Sequence, residues 1–267
     1  MDREPAVAGS FYPGRQSVLK NDLKKLTHKV EKKYDALGVI SPHAGYMYSG
    51  WVAGEVFSSI NIPERVVILA PNHTGRGELF SLWPDGKWMT PLGEVVIDKE
   101  LGDAIKKSAR MVDEDIQSHL EEHSAEVQLP FLQYLKPHFQ MAVIVIASNC
   151  LDDLKLFGQN LGEALKSYGQ KILIIASSDM THYESHQSAG QKDKKAIEKI
   201  LRLDEDGLYE TVRKNDISMC GVGPAIAMLS AVKVLGAQSA KLLKYQTSGE
   251  ISGDFERVVG YAGLVVI

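Results

Sequence analysis

The chain has 267 residues, enough for one large domain or two small ones with a sizeable core. Hydrophobic residues make up 44% and charged residues 24%, ordinary values for a soluble globular protein. With 30 basic against 34 acidic side chains the formal net charge is -4, which gives no electrostatic basis for binding nucleic acid or an anionic membrane. No apolar run reaches the length of a membrane span, and the opening MDREPAVAGSFYPG lacks a signal-peptide pattern, so the expected location is the cytoplasm. Two cysteines, Cys150 and Cys220, exclude a disulfide framework. Cys150 follows the apolar run 142–147 and reads as a small buried residue.

In chain order, residues 6–14 (AVAGSFYPG) read as a loop with an aromatic anchor, and Val18, Leu19, Leu23, Leu26 and Val30 mark one face of a helix over 15–33. An apolar run ends at Ser41-Pro42-His43, and a helix is expected over 51–60. Residues 66–69 form a strand running into Ala70-Pro71-Asn72-His73. The stretch 75–92, rich in Gly, Pro and Trp, reads as an excursion that could wall a site. A short strand over 93–97 follows, and Asp98 caps a helix over 99–110. Ser124 is placed to cap a helix from Ala125, with Pro130 bending it. Further strands are expected over 140–147 and 172–175, the latter running into Ser177-Ser178-Asp179-Met180-Thr181-His182. Helices are expected over 152–168, 189–202, 206–214 and 223–235, and two strands close the chain around 240–245 and 257–267. Alternating strands and helices predict an α/β fold with a mostly parallel, mixed-edge sheet in a single domain over residues 1–267.

Three apolar runs thus end in a small residue, a polar turn and a histidine: His43, His73 and His182. Ligands in open α/β sheets sit beyond the carboxyl ends of the strands, so adjacent parallel strands would bring these rings together. His28, His138 and His186 lie in polar or surface contexts and are not part of this pattern. Cys220, in Met219-Cys220-Gly221-Val222-Gly223-Pro224, stands just ahead of a helix, whose dipole would lower its pKa. Two imidazoles and a thiolate make a three-ligand metal site open to iron(II), copper or zinc, and the ligand set does not choose among them. Asp179 and His182 form a D-x-x-H pair suited to a general base and the carboxylate that orients it. Glu122, His123 and Glu126 could add acid–base or metal character. Tyr46, Tyr48, Trp51 and Tyr183 could line a pocket for a planar ligand, although Trp51 reads equally well as core. A phosphate-binding G-x-x-x-x-G-K-[ST] loop, a strand-linked G-x-G-x-x-G and a G-x-S-x-G elbow are all absent.

Seven stretches in order resemble the Memo family, also described in prokaryotes as AmmeMemoRadiSam system protein B. They are AVAGSFYPG (6–14), SPHAGYMYSG (41–50), APNH (70–73), TPLGEVVID (90–98), EHSAEVQLPFLQ (122–133), SSDMTHY (177–183) and MCGVGP (219–224). The resemblance implies an α/β/α sandwich shared with LigB-like class III extradiol dioxygenases, whose iron(II) is held by two histidines and a carboxylate. It implies metal ligands His43, His73 and Cys220 and an acid–base His182 with Asp179 nearby; Tyr46, Tyr48 and His123 are the expected substrate contacts. Implied cofactors are iron(II) first, with copper or zinc as alternatives. Implied partners are a small molecule or peptide, and AmmeMemoRadiSam proteins including a radical SAM enzyme. The chemistry expected is redox, with little ring cleavage, because a thiolate replaces the carboxylate and is itself oxidisable. A peptide-binding protein with a vestigial cleft and a zinc-type hydrolase, with His182 as base, are the alternatives.

Overall fold

A computed structural model describes residues 1–267. In chain order its elements are β1 (Asp2–Arg3), α1 (Gln16–Leu26), β2 (Gly38–Ser41), α2 (Tyr46–Ser58), β3 (Arg65–Pro71), β4 (Phe80–Leu82), β5 (Lys87–Thr90), β6 (Gly93–Ile97), α3 (Lys99–Ser108) and β7 (Asp113–Glu114). There follow a 3-10 turn (Glu126–Gln128), α4 (Leu129–Leu135), β8 (Gln140–Ile146), α5 (Leu151–Tyr168), β9 (Ile172–Ser177) and β10 (His182–Glu184). The chain ends with α6 (His186–Leu201), α7 (Glu205–Lys214), α8 (Val222–Val234), β11 (Ala240–Thr247), α9 (Gly249–Ser252) and β12 (Val258–Val266).

All twelve strands join one mixed sheet with β8, β3, β9 and β2 side by side and parallel at its centre. β12 runs antiparallel beside β2 and carries β11 and β10 on its flanks, giving the mixed edge. The central strands are apolar throughout because both faces are covered. Their alternate residues enter different cores. Ile40, Val67, Leu69, Ile144 and Ile174 face α3, α5, α6, α7 and α8, whereas Val39, Val66, Ile68, Val143 and Ile175 face α1, α2 and α4. The result is an α/β/α sandwich. α8 is apolar all round and lies between the sheet and α5. Gly158 and Gly162 of α5 allow that approach, since a Cβ at either would meet the α8 backbone at Ala227 or Ala231. No helix is long and apolar enough to cross a membrane.

Several sequence expectations need correction. The first helix stops at Leu26, not at residue 33, and the second begins at Tyr46, on the first polar turn after His43, not at Trp51. The excursion over 75–92 contains β4 and β5, both joined to the sheet. Asp98 does cap α3, accepting from the Leu101 N–H at 3.0 Å. Ser124 caps nothing. Its hydroxyl donates to Glu122, and Pro130 sits in the first turn of α4, where no N–H is needed, so it bends no helix. Cys150 is exposed at the start of α5, because the buried strand already ends at Ile146. Trp51 is 45% exposed and is not core.

Candidate metal centre

His43 follows β2 and His73 follows β3, and β9 lies between those two strands. Three imidazoles meet at this end of the sheet: ligand atoms of His43, His73 and His123 all lie within 4.8 Å of one another. His123 enters from the loop before α4, not from a strand end. Its ring stacks on His73 with centroids 4.9 Å apart and meets His43 edge-on at 5.5 Å.

The hydrogen-bond pattern decides which ring nitrogens face the centre. The Ser177 hydroxyl has one hydrogen, which goes to the Ser124 carbonyl at 2.7 Å. It therefore accepts from Gln128 Nε2 and from His43 Nδ1, each at 2.9 Å, and leaves a lone pair on His43 Nε2. His73 Nδ1 lies 2.9 Å from Glu122, a carboxylate that can only accept, so its Nε2 is free as well. An imidazole oriented by a carboxylate or a hydroxyl is the arrangement that holds metal ligands in the right tautomer. The donor set thus fits a divalent transition metal.

Electrostatics supports that fit. Burial, reinforced by the neighbouring rings of His73 and His123, holds the His43 pKa well below its ordinary value, so the ring is neutral. Burial likewise lowers His123. Burial opposes charge on His73 too, but the hydrogen bond and charge of Glu122 outweigh it and raise that pKa. Glu122 is buried, which disfavours its carboxylate, yet bonds from the His73 ring and from the Ser124 and His73 N–H groups bring its pKa down to about 2. A buried acceptor of this kind is stable only when surrounded by donors.

Cys220 Sγ lies 3.2 Å from His43 Nε2 and accepts from the Asp179 N–H at 3.2 Å. It stands beside the three imidazoles, and His123 is the third member of the tight group. The lowered thiol pKa expected from the helix end is not found. Burial, then the Asp179 carboxylate, push it upward, so without a metal Cys220 is a thiol. Gly221 lets this loop touch β9, since a Cβ there would strike the Ser177 carbonyl.

Asp179 and His182 are both near the centre but do not pair by hydrogen bonding. Asp179 Oδ1 accepts the His43 N–H at 2.8 Å, and burial raises its pKa to about 6. His182 is carried on the edge strand β10, not at the end of β9. Its N–H donates to Ser218 Oγ at 2.7 Å and its Nδ1 to the Ser218 carbonyl at 2.9 Å. That leaves Nε2 as the basic nitrogen of the neutral ring. Tyr48 is half-buried at the start of α2. Tyr46 is a correction: it is buried against Phe131 and Tyr12, and its hydroxyl donates to the Val127 carbonyl at 2.7 Å, so it supports α4 and leaves no group for a substrate. Glu126 is another. Its carboxylate takes Arg3 at 2.7 Å, Tyr12 at 2.6 Å and the N–H groups of Ala6 and Val7, which makes it structural.

Sequence reasoning missed the roles of Arg3, Ser177, Gln128 and Ser218. Arg3 donates to the carbonyls of His119 and Glu122 besides Glu126, fixing the loop that delivers Glu122 and His123. Nothing in the spacing signals that contact, although the quoted stretches at 6–14 and 122–133 turn out to bind each other.

Comparison with known proteins bears on the family and the fold. The family model described as Memo-like protein matches residues 3–265. A MEMO1 family protein of Methanopyrus kandleri is 42% identical over 279 aligned residues, covering 99% of both chains. One from Methanosarcina mazei is 43% identical over 266, covering 99% of this chain and 98% of its own. Among solved structures, an uncharacterized protein of Escherichia coli K12 has the same fold, with a TM-score of 0.51, 12% identity, and coverage of 85% of this chain and 98% of that one.

Proposed function

The chain belongs to the Memo-like protein family, and from that premise we propose that it is a metal-dependent redox enzyme whose ion is held by His43, His73 and His123. The observation that carries this reading is the convergence of three imidazoles within 4.8 Å, two of them with Nδ1 committed to an acceptor. Cys220 brings a soft, oxidisable sulfur to 3.2 Å from His43 Nε2, which suits a redox-active iron or copper and would also accept zinc. When bound, such a metal supplies electron transfer and polarises a substrate oxygen.

The chain's own residues handle protons and position. His182 Nε2 takes a proton, with its ring held by both groups of Ser218. Asp179, with a pKa near 6, can hold a proton close to neutrality while fixing the backbone of His43. Cys220 is a thiol in the metal-free chain and would bring its sulfur beside an ion held by the three imidazoles. A zinc-type hydrolase is the second reading, favoured by the three imidazoles alone, a set that activates water on zinc.

The test is anaerobic metal analysis of purified protein, as isolated and after reconstitution with iron(II), copper or zinc. His43→Ala, His73→Ala and His123→Ala should each lose the ion, whereas His182→Ala should keep it. Stoichiometric zinc with no redox response would overturn the redox assignment in favour of hydrolysis. Unchanged metal content in His123→Ala would remove that ring from the ligand set.

A further inference from the structure

We propose that Arg257, with the phenols of Tyr183 and Tyr48, forms an oxyanion-binding rim on the His182 side of the metal centre, so that the substrate is a small organic carboxylate. This deepens the enzymatic reading above and rests on it for the identity of the reacting centre.

Arg257 immediately precedes β12, and β12 pairs antiparallel with β10, placing Val259 opposite His182. The guanidinium carbon lies 5.7 Å from the centre of the Tyr183 ring, and that ring lies 5.9 Å from His182. Arg257, Tyr183 and His182 therefore form a row leading from the rim toward the base. Arg257 makes no ion pair or side-chain hydrogen bond within the protein, although Asp254 and Glu256 are close in sequence. Its turn is nevertheless held in place: the His186 N–H donates to the Phe255 carbonyl at 2.9 Å, the two rings meet edge-on at 5.4 Å, and Glu256 N–H donates to Asp254 at 2.9 Å.

Tyr183 adds an independent observation. Its backbone lies in the left-handed region at φ 59°, which is unfavourable for a bulky side chain, and its ring is 67% exposed. Residues on both sides pin it there, His182 to Ser218 and Glu184 to Lys192. The hydroxyls of Tyr183 and Tyr48 have no protein partner. Both phenols, like the Asp179 carboxylate, lie within electrostatic reach of Tyr261.

This side of the metal centre thus offers a planar cation and two hydroxyl donors with no acceptor assigned to them. A guanidinium fork matches a carboxylate with two parallel hydrogen bonds. A single cation, with Asp254 and Glu256 as its sequence neighbours, suits a monoanion better than a dianion. Bound there, a carboxylate would leave the rest of a small substrate directed past Tyr183 toward His182.

The probe is benzoate, with benzyl alcohol as the uncharged control, titrated by calorimetry into chelator-treated protein. Working without metal separates this test from the metal assignment, which can fail while anion binding survives. Benzoate should bind and benzyl alcohol should bind much more weakly. Arg257→Gln should weaken benzoate about tenfold or more, the loss of a charge-assisted contact. Arg257→Lys should recover part of it, and Tyr183→Phe should give a smaller loss. Absence of benzoate binding, equal binding of the alcohol, or full affinity in Arg257→Gln would each overturn the proposal. Circular dichroism and bound metal in reconstituted Arg257→Gln should match wild type, since the side chain touches neither core nor imidazoles.

Discussion

His73 gives both its backbone N–H, at 2.7 Å, and its ring Nδ1, at 2.9 Å, to Glu122, and Ser124 adds its N–H and hydroxyl to the same carboxylate. Four donors on one buried acid make Glu122 the residue that fixes ring orientation and keeps electron density on the free nitrogen. Glu122→Gln is nearly isosteric but replaces one acceptor oxygen with an NH2 group, which would oppose the His73 or Ser124 donors. Partners of this kind are worth about 10- to 100-fold in metal affinity. The expected outcome is therefore a loss of that size in a chelator competition with cobalt or zinc, with far-UV dichroism unchanged. Affinity equal to wild type would mean that Glu122 serves only the loop. Glu122 was visible in the sequence as one of several acids in the stretch 113–130, but its role was not. Hydrogen-bond saturation depends on where the chain returns, and Pro71-Asn72-His73 returns to it from β3. The same limit hid Ser177, a serine among several polar residues after an apolar run, whose single proton decides the tautomer of His43.

At the scale of elements, the site depends on an N-terminal strap that contributes none of its ligands. Arg3 on β1 is 1% exposed, pairs with Glu126 at 2.7 Å and lies over the Trp88 ring at 4.1 Å. Phe11, farther along the strap, packs on His123 at 4.6 Å. Removing one member of a buried pair strands the other, a cost of about 3–5 kcal/mol. Arg3→Met should lower stability on that scale in urea titration and weaken metal binding, while Arg3→Met combined with Glu126→Gln should recover part of the stability. A double variant no better than the single one would show that Arg3 acts through its carbonyl contacts and not through the charge of Glu126. The main elements were legible from pattern because central strands buried on both faces are apolar throughout and helices carry apolar stripes. β1, β4, β5 and β7 were not. Two to four residues give no period, and their strand character comes only from the neighbours they pair with. The convergence of His43 and His73 was legible because parallel strands end at one edge. That His123 would join them was not legible, because a loop's destination is not written in its spacing.

For the molecule as a whole, buried groups of opposite sign set how stability responds to acid, with the neutral rings of His43 and His123 acting in the same direction as that of His119. His119 is fully buried against Trp83 and Trp88, its Nε2 3.0 Å from the Ser81 carbonyl, and burial pulls its pKa down to about 3. The unfolded chain takes up that proton at about 6.5, so the stabilisation from a neutral His119 is complete above 6.5 and is lost as pH falls toward 3. Glu122, at about 2 in the folded protein, contributes above its ordinary value of 4.5 and loses that contribution between 4.5 and 2. Asp179 has the opposite sign. Its folded pKa near 6 lies above the ordinary 3.8, so its burial penalises the fold at neutral pH and is relieved as pH falls from 6 to 4. From pH 6.5 to 4 the neutral rings of His119, His43 and His123 lose stability together and Asp179 offsets part of that loss, and below 4.5 Glu122 adds to it. Metal-free protein should show a urea midpoint that declines from pH 6.5 and falls more steeply beneath 4.5. Asp179→Asn should steepen the decline between pH 6 and 4, because the compensating group is gone. His119→Phe, which fills the same aromatic space without a proton site, should flatten the fall between pH 6.5 and 3, even if the lost bond to Ser81 lowers its midpoint at neutrality. The slope, not the neutral midpoint, is what decides: an unchanged slope in His119→Phe would assign the acid sensitivity to the carboxylates and the imidazoles of the metal centre.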